Sequence, residues 1–267
     1  MNSGYRKIAV ASTFSPRFTQ VLAEAKRICD RFSAELHAIY VGAKEETTEQ
    51  KFREVFAQLG VQSTPVHYRE GDPAAVILEL SKEAAIDLVI AGALEKEVVL
   101  RPFLGNVARS LVRAARSSVM LFTKPEQEPR QIRRIVMMAH YTDAGRAALK
   151  KVLHLAAAEQ CERLYVIRVH TSFDRARAER GEGSGRRTAG EEELALEEFV
   201  DSAGETEVPI EIRCLTGTTG FAALEFLQSI EADLLAVSID PALPPGELPK
   251  RIAWITDTIP CNLWVIR

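Results

Sequence analysis

Residues 71–91 and 217–237 of this 267-residue chain align without a gap at an offset of 146. GDPAAVILELSKEAAIDLVIA lies against GTTGFAALEFLQSIEADLLAV. Gly71/Gly217, Leu78/Leu224, Glu79/Glu225, Asp87/Asp233 and Leu88/Leu234 are identical, and most core positions stay apolar. The closing segments match as well, Val119-Met-Leu-Phe122 against Leu263-Trp-Val-Ile266. Self-similarity on this scale means a duplicated folding unit rather than one long fold. The length agrees, since about 150 residues per domain gives just under two domains.

Each copy reads as strands alternating with helices. Residues 7–12 form a short buried strand, and Phe18, Val21, Leu22, Ala25, Ile28, Cys29 and Phe32 follow at the spacing of a one-faced helix. Leu36–Val41 is a second strand, and Phe52, Val55, Phe56 and Leu59 mark a helix stopped by Gly60. A third strand is expected at Val61–His67. Gly71-Asp72-Pro73 then supplies a turn, an N-cap and a proline at the first helical position. Asp87–Gly92 is an apolar strand, Asn106–Arg116 a helix and Val119–Phe122 the last strand. In copy two, Arg134–Ala139 is a strand, Asp143 caps a helix with buried stripe Leu149, Val152, Leu153 and Ala156, and Leu164–His170 is a strand. Apolar strands alternating with helices imply a parallel sheet covered on both faces. The fold class is therefore α/β, two tandem doubly wound five-stranded sheets. Copy one is expected over residues 1–124, a polar linker with two prolines over 125–131 and copy two over 132–267. Phe173–Gly190, rich in Arg, Glu and Gly, has no counterpart and reads as a flexible surface loop.

Composition narrows the function classes. Hydrophobic residues at 46% and charged residues at 27% exclude a disordered chain. Thirty-four basic against 37 acidic residues give a net charge of −3, without the basic footprint of a nucleic-acid binder. Cys29, Cys161, Cys214 and Cys261 are scattered, which argues against a disulfide framework or structural zinc. No stretch approaches the roughly 20 apolar residues that span a bilayer. A cytoplasmic protein with no membrane or nucleic-acid partner is expected. No nucleophile elbow, P-loop or metal-spaced His/Glu set stands in the sequence, so no enzyme is expected. His140 and His170 both end strands of copy two, a conceivable metal or proton-transfer pair, although solvated histidines are the commoner outcome. Arg109, Arg113 and Arg116 form a stripe that reads as a solvated helix face.

Arg69-Glu-Gly-Asp-Pro-Ala-Ala-Val-Ile-Leu-Glu-Leu, Asp87-Leu-Val-Ile-Ala-Gly and Gly105-Asn-Val-Ala-Arg-Ser resemble a universal stress protein domain, as does the opening Ala11-Ser-Thr-Phe-Ser-Pro-Arg-Phe18. The resemblance covers both halves, more strongly the first. It implies an adenine-nucleotide-hydrolase-like fold with strand order 3-2-1-4-5, domains paired through their last strands as a pseudo-dimer, and often an ATP or AMP site. The family's nucleotide binders carry Gly-x2-Gly-x9-Gly-Ser/Thr after the fourth strand and a carboxylate at the end of the first. Such a site lies where the strand order reverses, and its glycines let N–H groups approach phosphates. Copy one keeps Gly92 and Gly105 thirteen apart, but the middle glycine is Glu95, the Ser/Thr position is Asn106 and the carboxylate position is Thr13. A carboxylate about 5 Å from a phosphate charge costs roughly 1–3 kcal/mol. Gly105-Asn106 can equally be a turn into a helix, with Asn106 as its cap.

In copy two, Ser238 stands at the place of Gly92, Pro249-Lys250 at that of Gly105-Asn106, and His140 at that of Thr13. Proline has no N–H to offer a phosphate, and this copy reads as structural. The leading expectation is a non-enzymatic stress-response or regulatory protein with a degenerate nucleotide site at Thr13, Gly92, Gly105 and Asn106 and no cofactor. The alternatives are an ATP- or AMP-binding regulator using copy one, and a nucleotide-dependent hydrolase or transferase on the same fold. The expected partners are copy one with copy two and an unidentified protein; a homo-oligomer is left open.

Overall fold

The computed structural model describes residues 4–12, 14–61, 64–93, 104–171, 187–204, 206–244 and 246–267, apart from the Thr219 side chain. They divide into two compact units, residues 1–130 with Pro244–Glu247, and Gln131–Leu243 with Leu248–Arg267.

In the first unit, β1 (Lys7–Ser12), α1 (Phe18–Phe32), β2 (Glu35–Val41), α2 (Glu46–Gln58), β3 (Val66–Arg69), α3 (Pro73–Glu83), β4 (Leu88–Gly92), α4 (Asn106–Ala114) and β5 (Ser118–Phe122) follow in order. All strand pairs are parallel, β2 with β1 and β3, and β4 with β1 and β5, which gives the order 3-2-1-4-5. Right-handed crossovers then place α1 and α2 on one face and α3 and α4 on the other. Ile8, Val10, Leu88 and Ile90 are wholly buried, as central parallel strands require. The third strand lies at Val66–Arg69 rather than Val61–His67. Its residues are all half-buried, so alternation in the sequence marks it poorly.

The second unit has β6 (Arg134–Met138), α5 (Asp143–Ala158), β7 (Arg163–His170), α6 (Ala189–Asp201), β8 (Ile210–Thr216), α7 (Thr219–Ser229), β9 (Leu234–Ser238), a 3₁₀ turn (Ala253–Thr256) and β10 (Asn262–Ile266). Its parallel pairings repeat the same order, with β6 between β7 and β9, β8 beyond β7, and β10 beyond β9. A short turn replaces the helix that copy one builds as α4. Residues 172–186 lie outside the described residues, but the expected loop ends early. Thr188 and Glu191 form a reciprocal capping box that opens α6, the Thr188 N–H donating to Glu191 Oε2 at 2.7 Å.

Local chemistry explains the helix starts. Asp72 Oδ1 accepts the Ala75 N–H at 3.0 Å, with Pro73 at the first helical position. For α5 the cap is Thr142, not Asp143: Thr142 Oγ1 accepts the Gly145 N–H at 3.1 Å. Asp143 is the first helical residue instead, an acidic group suited to the helix N-terminus. The repeated aspartates also have one shared task. Asp87 Oδ2 accepts the N–H groups of Arg6 and Lys7 at 2.8 and 2.9 Å. Asp233 Oδ2 accepts those of Arg133 and Arg134, both at 2.8 Å. In each unit one carboxylate ties the start of the first strand to the start of the fourth.

Candidate functional site

The carboxyl ends of β1 and β4 bring part of the expected copy-one site together. Gly105 donates its N–H to Ala93 O at 3.0 Å, and Ala93 donates its own to Phe122 O at 2.9 Å. Gly105 is thus held beside the end of β4, next to Gly92. A Cβ on Gly92 would meet Val21 Cγ2 at an ordinary 3.5 Å, so packing does not demand glycine there. Gly105 is also the cap position of α4 and provides no side chain, while Asn106 is the exposed first helical residue. The expectation that Asn106 caps the helix is therefore corrected by one position. Thr13 and Glu95 lie outside the described residues.

Aromatic packing fills the neighbouring rim. Phe14 adopts φ +51° and its N–H donates to Ser12 Oγ at 2.9 Å. Its ring centroid lies 5.0 Å from Tyr40, 5.3 Å from Phe18 and 4.6 Å from Phe52. Of the arginine stripe, Arg113 and Arg116 are exposed as expected, whereas Arg109 is half-buried and reaches Leu104 O with Nη2 at 3.5 Å.

Copy two assembles a different set at the corresponding rim. Strand register places Arg168 at the position of Tyr40, and Tyr141 at that of Phe14. The aromatic pair becomes a cation over a ring, with the Arg168 guanidinium 5.0 Å from the Tyr141 centroid. Arg168 Nη1 donates to Ala139 O at 3.2 Å, and its Nε lies 3.4 Å from Oε1 of buried Glu192. Glu192 also accepts the Tyr141 hydroxyl at 2.7 Å and lies 3.8 Å from His170 Nε2.

Arg251 donates Nη2 to Ser238 O at 3.1 Å. Burial, reinforced by the charge of Arg168, pulls the Arg251 pKa down to about 10. His140 is pulled down to about 4, first by burial and then by Arg251 and Arg168, against an opposing pull from Asp240. Its imidazole is neutral at pH 7. The two histidines thus face different groups, His140 the arginines and His170 Glu192. Among the described residues no cluster of three His, Cys, Asp or Glu side chains could hold a metal ion.

Residues 42–123 match the universal stress protein family. The match lies within the first unit, from the end of β2 to the end of β5. A universal stress protein of Methanocaldococcus jannaschii is 28% identical over 148 residues, covering 46% of this chain and 85% of that protein. The solved structure of a universal stress protein from Archaeoglobus fulgidus superposes with a TM-score of 0.66 at 14% identity, covering 98% of this chain and 96% of that one. A Pseudomonas aeruginosa protein of unknown function gives 0.69 at 15% identity, with 99% and 93% covered. At those identities the two structures establish a shared fold over both halves. No described helix of this chain is long and apolar enough to cross a membrane.

Sequence reasoning missed Arg168 and Arg251 altogether. The first had a visible signal, an arginine inside the otherwise apolar run Leu164-Tyr-Val-Ile-Arg-Val. The second had none, because only the path of the chain after β9 brings it to the rim.

Proposed function

We propose that this chain is a non-enzymatic tandem universal stress protein acting in stress response or regulation through protein contacts, with the nucleotide site of copy one out of use. The observation that supports it most is the state of the copy-one rim. The Gly105 N–H at the start of the loop-to-helix turn is already engaged by Ala93 O. The Phe14 ring packs among Phe18, Tyr40 and Phe52 at the end of β1. A phosphate loop works by presenting unengaged N–H groups at close range, and Glu95 adds a carboxylate to the loop sequence. The sequence also carries no motif pairing a nucleophile with a base.

Calorimetry on the full chain tests this directly. Affinity for ATP is expected to be no tighter than about 1 mM, equivalent to about −4 kcal/mol. Micromolar binding would make the chain a nucleotide-responsive regulator instead, and ATP turnover above a no-protein control would overturn its non-enzymatic part.

A further inference from the structure

Two histidines of the first unit meet near the amino ends of its strands, away from the nucleotide-site rim. His37 stands on β2 and His67 on β3, with His37 Nδ1 and His67 Nε2 3.0 Å apart. The ring planes differ by only 8° and the centroids are 5.3 Å apart, a separation that the 3.0 Å gap and the two ring radii account for in full. The imidazoles therefore meet head to head in one plane, and the N–H between them is close to linear. His37 is buried and His67 half-buried. On the far side of His37, Nε2 is buried without a hydrogen-bond partner among the described residues, and Oε2 of exposed Glu35 lies 3.6 Å from it.

Strand register fixes the face on which the pair lies. His37 stands opposite Ala9, Glu35 opposite Lys7 and His67 opposite Ile39. Residues two apart on a strand share a face. Lys7 Nζ donates to Ala84 O, just past α3, at 3.4 Å. Arg69, two residues on from His67, meets Glu83 of α3 at 2.8 Å. The pair thus lies on the face that α3 covers. The charged groups on the elements packed against it are Lys7 of β1, Glu35 of β2, Arg69 of β3, and Glu79, Lys82 and Glu83 of α3. Arg69 engages Glu79 and Glu83, and its hydrogen bond holds the Glu83 carboxyl below the ordinary carboxylate value. That ion pair persists while histidines titrate.

Two neutral imidazoles share one hydrogen bond, either ring donating. A first added proton keeps it, since an imidazolium at His37 donates from Nδ1 to His67 and from Nε2 towards Glu35. A second proton places N–H groups on both facing nitrogens and turns the bond into a repulsion between cations. Burial, then the charge of His37, then Lys7 pull the His67 pKa below the ordinary 6.5. Neutral His67 therefore stabilises the fold fully above that value, and the contribution is lost as pH falls below it. A metal ion does not fit between these nitrogens, because bonds to two imidazoles would need about 2.0–2.1 Å each. The strand that the pair secures is weakly held otherwise: β3 has four residues, all half-buried, at the outer edge of its sheet. Such edges open locally at low cost.

We propose that the His37–His67 pair is a proton-operated latch, which fastens the edge strand β3 to β2 at neutral pH and releases it on acidification. Release uncovers the backbone donors and acceptors of β2, an edge to which another strand can add.

Hydrogen exchange of the full chain, followed by mass spectrometry and corrected for the intrinsic pH dependence of exchange, tests the latch. Between about pH 7.5 and about pH 5, which bracket histidine titration, protection of peptides covering β2 and β3 is expected to fall about tenfold. Peptides covering β4 are expected to keep theirs. His67→Gln preserves a donor and an acceptor for His37 but takes up no proton, so its β2 and β3 protection is expected to stay within about twofold over the same range. An equal fall in wild type and variant would overturn the proposal, as would no fall in wild type. His140 belongs to the second unit, so His140→Gln is expected to leave the response of β2 and β3 intact. Should His67→Gln lose protection already at neutral pH, the wild-type rings decide by NMR. The pair is expected to titrate in two separated steps, the lower one coinciding with the opening of β3; two independent single-step titrations would refute the latch.

Discussion

Gly145 is glycine for a reason that sequence alone does not reveal. A Cβ there would lie 1.8 Å from the His140 carbonyl oxygen, because the turn from β6 folds tightly onto the first turn of α5. Gly145→Ala is expected to destabilise the second unit by about 3 kcal/mol, read from denaturant midpoints. Asp87 and Asp233 act differently, as acceptors for two backbone N–H groups each. Replacing either by Ala is expected to cost about 2 kcal/mol, with the loss confined to its own unit in hydrogen exchange. His140 gives a pH signature. Its folded pKa of about 4 lies below the ordinary histidine value of 6.5, so between these values the unfolded chain binds the extra proton. Stability from this group is complete above about pH 6.5 and is lost as pH falls towards 4. His140→Gln is expected to flatten that part of the pH–stability curve, and an unchanged slope would refute the assignment.

At the scale of elements, four helices stop in the same way without the residue that usually signals it. Ser33, Ala85, Gln160 and Glu231 all have φ between +50° and +52°. After each, two N–H groups turn back onto the last helical turn, as where Ile86 donates to Ser81 O at 2.8 Å and Ala232 to Leu227 O at 2.9 Å. This is the doubly bonded C-terminal cap in which glycine is favoured. Gly60, after α2, fits the expectation of a glycine stop, with φ +62°. Ala85→Gly and Glu231→Gly are each expected to stabilise by about 0.5–1 kcal/mol, seen as higher thermal midpoints. The starts of α3 and α6 carry their signals in sequence as Asp72-Pro73 and Thr188-x-x-Glu191. The start of α5 is ambiguous, since Thr142 and Asp143 are both good caps and the turn from His140 selects the first.

For the whole molecule, β5 and β10 are each outermost in their own unit's sheet. Outermost strands leave backbone donors and acceptors unpaired, and the family resemblance implies that the two closing strands pair antiparallel. Each half expressed alone is then expected to self-associate; separate halves that sediment as clean monomers at high concentration would argue against the pairing. The nucleotide question also belongs here, because it compares the copies. Thr13→Asp, Glu95→Gly and Asn106→Ser together are expected to bring measurable ATP binding to copy one, beyond any single change. Equivalent changes in copy two are expected to add no ATP affinity, since that copy has a 3₁₀ turn where α4 would begin. An equal response from both copies in calorimetry would sink this distinction.

Duplication, element order and the α/β class were legible because each rests on periodic burial, which neighbouring residues encode within a short window. The shared aspartates were legible as identities, though not as clamps. The copy-one frame was legible only as spacing; the engagement of Gly105 by Ala93 depends on how the chain returns to β4. His140, Arg168 and Arg251 lie on three separate segments, and nothing local relates them. Strand register sets Arg168 against Tyr141, and the turn after β9 carries Arg251 to Ser238. Burial is written along the chain, whereas the meeting of two half-buried cations at one rim is decided only by the tertiary fold, because charge acts through space and not through sequence.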